Sequence, residues 1–125
     1  MTRTLIASLA RIADFEKNPY EITLVDKSAW ANGDYVVGQV SGKRTVLYHV
    51  ESCSGEMLPV ESGTLVIGAF GDRAATLEGV GRWADVVDGK MHAMTSAGLF
   101  GAFTSVSRYL PEPMSLDYRG HVTRD

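Results

Sequence analysis

The sequence predicts a mainly β chain: a small closed or partly open β-barrel with an internal pseudo-two-fold repeat, plus one short N-terminal helix. Three observations carry that prediction. Residues 31–50 (ANGDYVVGQVSGKRTVLYHV) and 61–80 (ESGTLVIGAFGDRAATLEGV) echo one another thirty positions apart. Gly33, Val36, Gly38, Leu47 and Val50 recur as Gly63, Val66, Gly68, Leu77 and Val80. Tyr35, Val37, Val40 and Lys43 meet the similar Leu65, Ile67, Phe70 and Arg73. Each copy reads as glycine, a short apolar strand, a glycine-containing turn with a cation, and a second strand. Turn signals also recur every 8–12 residues, the spacing of small all-β domains. Finally, several of the 13 glycines fall inside strand patterns, where they suit the sharp bends of a closing sheet.

The elements follow in order. Leu5, Ile6, Leu9, Ile12, Ala13 and Phe15 give residues 4–16 one apolar helical face, ended by Asn18-Pro19. A strand opening at Thr4–Leu9 is the alternative. Tyr20–Val25 reads as strand, and Trp30-Ala31-Asn32-Gly33-Asp34 as a turn centred on Asn-Gly. Asp34–Val40 is strand, Ser41-Gly42-Lys43 a tight hairpin turn, and Arg44–Ser52 a strand rich in β-branched and aromatic residues. Ser54-Gly55 breaks it, and Glu61-Ser62-Gly63 turns into a strand at Thr64–Phe70. Gly71-Asp72 turns again, into a strand at Ala74–Val80. A helical turn fits Trp83–Val86, and strands fit Lys90–Thr95, Leu99–Ser105 and Met114–Val122, with Tyr109–Pro113 extended by its prolines.

At 125 residues the chain suits a single domain, 1–125, long enough to bury a real core without staples. The net charge of −3 and absence of a basic stripe argue against nucleic acid as a partner. One cysteine, Cys53, allows no internal disulfide and fits a reducing compartment. No stretch has the unbroken apolar length of a signal peptide or a membrane span, so the expected setting is cytoplasmic, away from membranes. The final residues, Tyr118 to Asp125, run as a strand and stop, which suits the N-terminal domain of a longer protein as well as a natural end.

Candidate chemistry is sparse. His49, Glu51 and Cys53 alternate on one strand face, and all three types ligate zinc. One strand rarely supplies three ligands, however, and a half-exposed face with a buried thiol explains them as well. His92 and His121 add ligands only if the fold brings them near. Lys43 and Arg73 occupy equivalent places in the two copies, with Arg44 and Arg82 beside them, so a dyad would let them flank one anion. Hairpin tips commonly carry such cations without a ligand. Thr95, Ser96, Gly98, Gly101, Thr104 and Ser105 form a glycine–hydroxyl stretch able to offer N–H and O–H donors to an anion. It has neither a Gly-Lys-Ser/Thr ending nor a GxGxxG pattern, and a glycine-bent core strand is the simpler reading. The carboxylates are scattered, mostly in or beside turns, and no pair marks acid–base catalysis.

In organisation the chain resembles the small β-barrels that precede the nucleotide-binding core of certain P-loop ATPases. The likeness rests on Gly33-Asp34-Tyr35-Val36-Val37-Gly38-Gln39-Val40, Gly63-Thr64-Leu65-Val66-Ile67-Gly68 and the ending Leu116-Asp117-Tyr118-Arg119-Gly120-His121-Val122. It covers less than a quarter of the chain. It implies an assembly or regulatory barrel, with no catalytic residue carried over because no Walker sequence is present.

The function expected is therefore a non-catalytic module for assembly or ligand-dependent regulation, as a homo-oligomer or within a larger polypeptide. No cofactor is implied. The alternatives are a binding domain for a small anionic ligand and a small enzyme using His49, His92 or His121 with a neighbouring carboxylate.

Overall fold

The computed structural model describes residues 4–13, 20–41, 48–52, 54–75, 79–95, 97–106 and 114–123. The chain is mainly β. Its strands are β1 (Thr4–Ile6), β2 (Glu21–Thr23), β3 (Tyr35–Val40), β4 (Tyr48–Glu51), β5 (Met57–Val60) and β6 (Leu65–Phe70). They continue with β7 (Asp72–Ala75), β8 (Gly79–Arg82), β9 (Lys90–Ala93), β10 (Leu99–Val106) and β11 (Met114–Thr123). Short 3-10 helices lie at Ser8–Ala13, Lys27–Ala29 and Trp83–Asp85.

Five strands close a ring of pairings, β6–β3–β11–β9–β10 and back to β6. Every contact in it is antiparallel except the parallel closure of β10 on β6, Leu99 opposite Ala69 and Phe100 opposite Phe70. Two strands share their edges. Leu65–Ile67 of β6 pair with β1 before Ala69 and Phe70 pass to β10. Likewise β11 gives Met114–Asp117 to β9 and His121–Thr123 to β2.

All five ring strands feed one buried cluster that includes Val36, Val40, Val66, Phe70, Met91, Phe100, Met114 and Leu116. The opposite face of β3 and β6 is buried too. Val37 and Ile67 join Ala10 and Val122 in a second cluster, against Ile6, Tyr20, Tyr35 and Leu65. With both faces covered, β3 and β6 read as continuous apolar runs rather than as alternation.

The sequence repeat is real in its first half. β3 and β6 pair so that Val37 faces Ile67, its own counterpart, and exchanging the copies reproduces the register. The leading turns match bond for bond. Gly33 N donates to Phe70 O at 2.9 Å, and Gly63 N to Val40 O at 2.8 Å. Phe70 N donates to Asp34 O and Val40 N to Thr64 O, each at 2.9 Å. Both glycines hold positive φ, +88° and +95°, which side-chain-bearing residues avoid.

The second halves part company. β4 does not return along β3; it pairs with β5 in a separate two-stranded sheet. The tight hairpin turn expected at Ser41–Lys43 lies largely outside the described residues. The stretch read as one strand, Ala74–Val80, belongs instead to two: β7 and β8 pair antiparallel, Asp72 opposite Arg82 and Ala75 opposite Gly79. β5 was not foreseen. Its Pro59 marks it as an edge strand.

The expected N-terminal helix is also corrected. Thr4–Ile6 form a strand along Leu65–Ile67, and only a short 3-10 helix follows at Ser8–Ala13. Leu5 and Ile6 begin a helically spaced apolar pattern, but the parallel edge of β6 captures them, and tertiary pairing overrides a short local preference. No helix among the described residues is long and apolar enough to cross a membrane.

Candidate functional site

One of the differences between the two matched turns, Asp34 in place of Thr64, builds a polar cluster. Thr64 closes the second turn by accepting Glu61 N on Oγ1, at 3.3 Å. Its counterpart Asp34 does the same for Ala31 N on Oδ2, at 2.8 Å. A carboxylate has lone pairs to spare, and Asp34 spends one on His121, whose Nε2 stands 3.0 Å from the same oxygen. His121 is 6% exposed.

Tyr118 completes the cluster, its hydroxyl 2.7 Å from His121 Nδ1. On a regular strand, residues three apart point to opposite faces. Here the pairing with β3 slips between Tyr118 and Gly120: Tyr118 faces Gly38, Gly120 faces Val37 and His121 faces Val36. The extra residue is a β-bulge, and it turns both side chains to the same face. Gly120 has φ +145°, and a Cβ there would stand 3.2 Å from Thr23 O and 2.7 Å from Ile22 Cγ2.

Proton positions follow from the acceptors. An ionised Asp34 only accepts, so the neutral ring carries its proton on Nε2 and leaves Nδ1 to accept from the Tyr118 hydroxyl. That hydroxyl in turn accepts Val25 N–H at 3.1 Å. A directed chain results, from Val25 N–H through Tyr118 and His121 to Asp34. Its ends grip both ends of the segment Val25–Ala31. Within the segment, Trp30 Nε1 donates to Val25 O at 2.8 Å. The indole packs on Phe70, Tyr118 and His121, with centroids 4.8, 4.7 and 5.9 Å away. Burial, with the negative charge of Asp34, raises the Tyr118 phenol above its usual range, against the lowering pull of its hydrogen bond from Val25 and of the nearby Trp30 indole. Tyr118 therefore stays a neutral donor.

This arrangement holds a proton in a fixed place but offers His121 no free ring nitrogen for a substrate. The other histidines do not join it. His49 lies exposed on β4. His92 accepts Phe103 N on Nδ1 at 3.3 Å and packs on the Phe103 ring, and burial lowers its pKa below the ordinary histidine value.

The sites named from sequence separate. Arg73 Nη1 donates to Met94 O, at the turn where Gly98 N bonds Thr95 O at 3.2 Å. Arg73, Thr95 and Gly98 thus share one neighbourhood. Thr95 Oγ1 is buried there and has no hydrogen-bond partner among the described residues. Thr104 Oγ1 instead donates to Val80 O, at 3.2 Å. Gly101 serves packing, since a Cβ would stand 2.7 Å from Met94 Cε and 2.9 Å from the Arg82 backbone. Lys43, Ser96, Cys53 and the Ser105 side chain lie outside the described residues, as does Arg44; Arg82 is exposed. His49 and Glu51 alternate on β4, and no group of three potential metal-ligating side chains occurs among the described residues. Of the cluster, sequence reasoning had named only His121; the Asn-Gly turn before Asp34 was legible, but its reach across the sheet was not.

The chain matches no protein-family model, no curated protein and no solved structure.

Proposed function

We propose that the chain is a non-catalytic β module, its ring a small β-barrel, that mediates assembly through the edge carrying β2. The observation behind this reading is a strand edge carrying exposed apolar side chains. Among the described residues, β2 pairs with β11 alone. Ile22 on it is 46% exposed, and Leu24 just beyond it is 77% exposed. Val87, 63% exposed, belongs to the same end of the molecule, because Lys27 Nζ donates to the neighbouring Val86 O. Exposed apolar side chains along a strand at the end of a sheet are a template for another chain. Light scattering after size exclusion tests it. The reading expects an oligomer in the unmodified chain and a folded monomer for Leu24→Lys. A chain that stays monomeric at high concentration overturns it.

A second reading, a small anionic ligand at the Met94–Gly98 turn, is favoured by one observation: the buried Thr95 Oγ1, without a hydrogen-bond partner among the described residues, beside a turn that Arg73 reaches. Thermal unfolding with inorganic phosphate tests that reading. An unchanged midpoint at millimolar phosphate counts against it.

A further inference from the structure

We infer that Val25–Ala31 is a strap whose N-terminal tether, Val25 N–H to the Tyr118 hydroxyl, is released when His121 takes up a second ring proton. The inference stands apart from self-association, because the groups involved all lie within one chain.

The geometry forces the exchange. In the neutral cluster every bond runs in one sense, and Tyr118 both accepts from Val25 and donates to His121 Nδ1. Protonation makes both ring nitrogens donors. Nε2–H keeps Asp34, so the Ala31 end of the strap stays held. Nδ1–H now points at the Tyr118 oxygen. The phenolic hydrogen must swing away, and the ring N–H competes with Val25 N–H for the oxygen. Of the two donors the cationic one makes the stronger bond, so the Val25 tether yields. The strap then opens from the end next to Leu24 and β2, while Lys27 stays on the Val86 carbonyl and Trp30 on the Phe70 ring.

Few other groups bear on His121. Its own strand supplies Tyr118, and the turn before β3 supplies Asp34. β2 places Thr23 opposite it, and β6 offers the Phe70 ring at 5.6 Å. The strap's own charges are engaged elsewhere, Asp26 on Ser28 and Lys27 on the Val86 carbonyl. The test below therefore spans about pH 5 to 8, where imidazole protonation ordinarily changes.

Amide hydrogen exchange at Val25, read by NMR on the unmodified chain alongside the His121 ring nitrogen shifts, tests the inference. Protection of Val25, corrected for intrinsic exchange, falls about five-fold as His121 titrates, the share of one hydrogen bond. Ala31 keeps its protection over the same range. Tyr118→Phe, which lacks the acceptor, shows low Val25 protection at both ends of the range and no further fall. Val25 protection that stays constant while His121 titrates overturns the inference. A His121 ring that never protonates down to about pH 5 overturns it equally. These readouts are internal to the monomer, so they hold or fail independently of the assembly reading.

Discussion

Tyr118 and His121 sit three residues apart on β11, yet the Tyr118 hydroxyl meets His121 Nδ1 at 2.7 Å on one face of the sheet. The bulge between Tyr118 and Gly120 makes this possible. It is also the point where β11 leaves β9 and takes up β2. One extra residue therefore serves two ends: it aims the two side chains together, and it redirects the strand edge.

Gly120→Ala tests that dependence. The new Cβ meets the carbonyl oxygen of Thr23 at 3.2 Å and Ile22 Cγ2 at 2.7 Å, at φ +145°. Neither the backbone contact nor the dihedral is relieved by a side-chain rotation. Urea denaturation is expected to show a loss of about 2–3 kcal/mol. NMR is expected to show Tyr118 and His121 disengaged, with Val25 losing its protection. A variant as stable as the parent, with the cluster intact, would mean the bulge does not need glycine.

Asp34→Thr installs the residue that the second copy uses at the matched place. The turn is expected to survive, because Thr64 shows that a hydroxyl can hold its leading N–H. What disappears is the acceptor for His121 Nε2, which leaves a donor unmatched on a side chain 8% exposed. The expected loss is about 2 kcal/mol. Thr64→Asp offers the control: it has no histidine to bond, and it brings a carboxylate into a position 6% exposed. Equal stability for Asp34→Thr and the parent would remove the histidine contact from the account of the site.

Where the sequence could be read, the reason was local. β3, β6 and β10 are short, largely apolar runs that follow a glycine, β11 alternates from Met114 after Pro113, and all four were placed within a residue or two. The Asn32-Gly33 turn and its repeat at Ser62-Gly63 were legible because a positive φ asks for glycine. The apolar spacing from Leu5 to Phe15 misled, since a helical pattern says nothing about a strand edge on β6 that pairs with Thr4–Ile6. Residues 74–80 misled because no Pro or Asn-Gly signal marks the reversal between β7 and β8. The site was hidden for two reasons. Asp34 and His121 lie 87 residues apart, and the odd spacing of Tyr118 and His121 reads as opposite faces until the bulge is known.

The two matched glycines inside β3 and β6 are expected to respond unequally to alanine, although the repeat aligns them. A Cβ on Gly38 meets Met91 Cε at 2.7 Å, the mobile end of a flexible side chain, and Leu116 Cβ at 3.1 Å. A Cβ on Gly68 runs into the carbonyl oxygen of Gly98, and stands 2.7 Å from Phe100 Cζ. The Gly98 carbonyl is fixed, because it accepts Ala69 N at 2.9 Å where β10 closes the ring. Gly38→Ala is expected to cost about 1–2 kcal/mol and Gly68→Ala about 3 kcal/mol or more, by urea denaturation. The reverse order would contradict the parallel closure of β10 on β6.

His92 gives the chain a separate acid sensitivity. Burial lowers its pKa below the ordinary value of 6.5, so the folded chain binds fewer protons at this ring than the unfolded chain does. The stability tied to the neutral ring is fully present above 6.5 and drains away as the pH falls below it towards the lower folded value. His92→Gln keeps a carbonyl oxygen that can accept Phe103 N but cannot titrate. Urea midpoints measured at about pH 7.5 and about pH 5 are expected to fall less in the variant than in the parent. The difference isolates His92, because His121 is present in both chains. Parallel falls would show that the His92 ring titrates alike in the folded and unfolded states, and that its packing against Phe103 does not desolvate it.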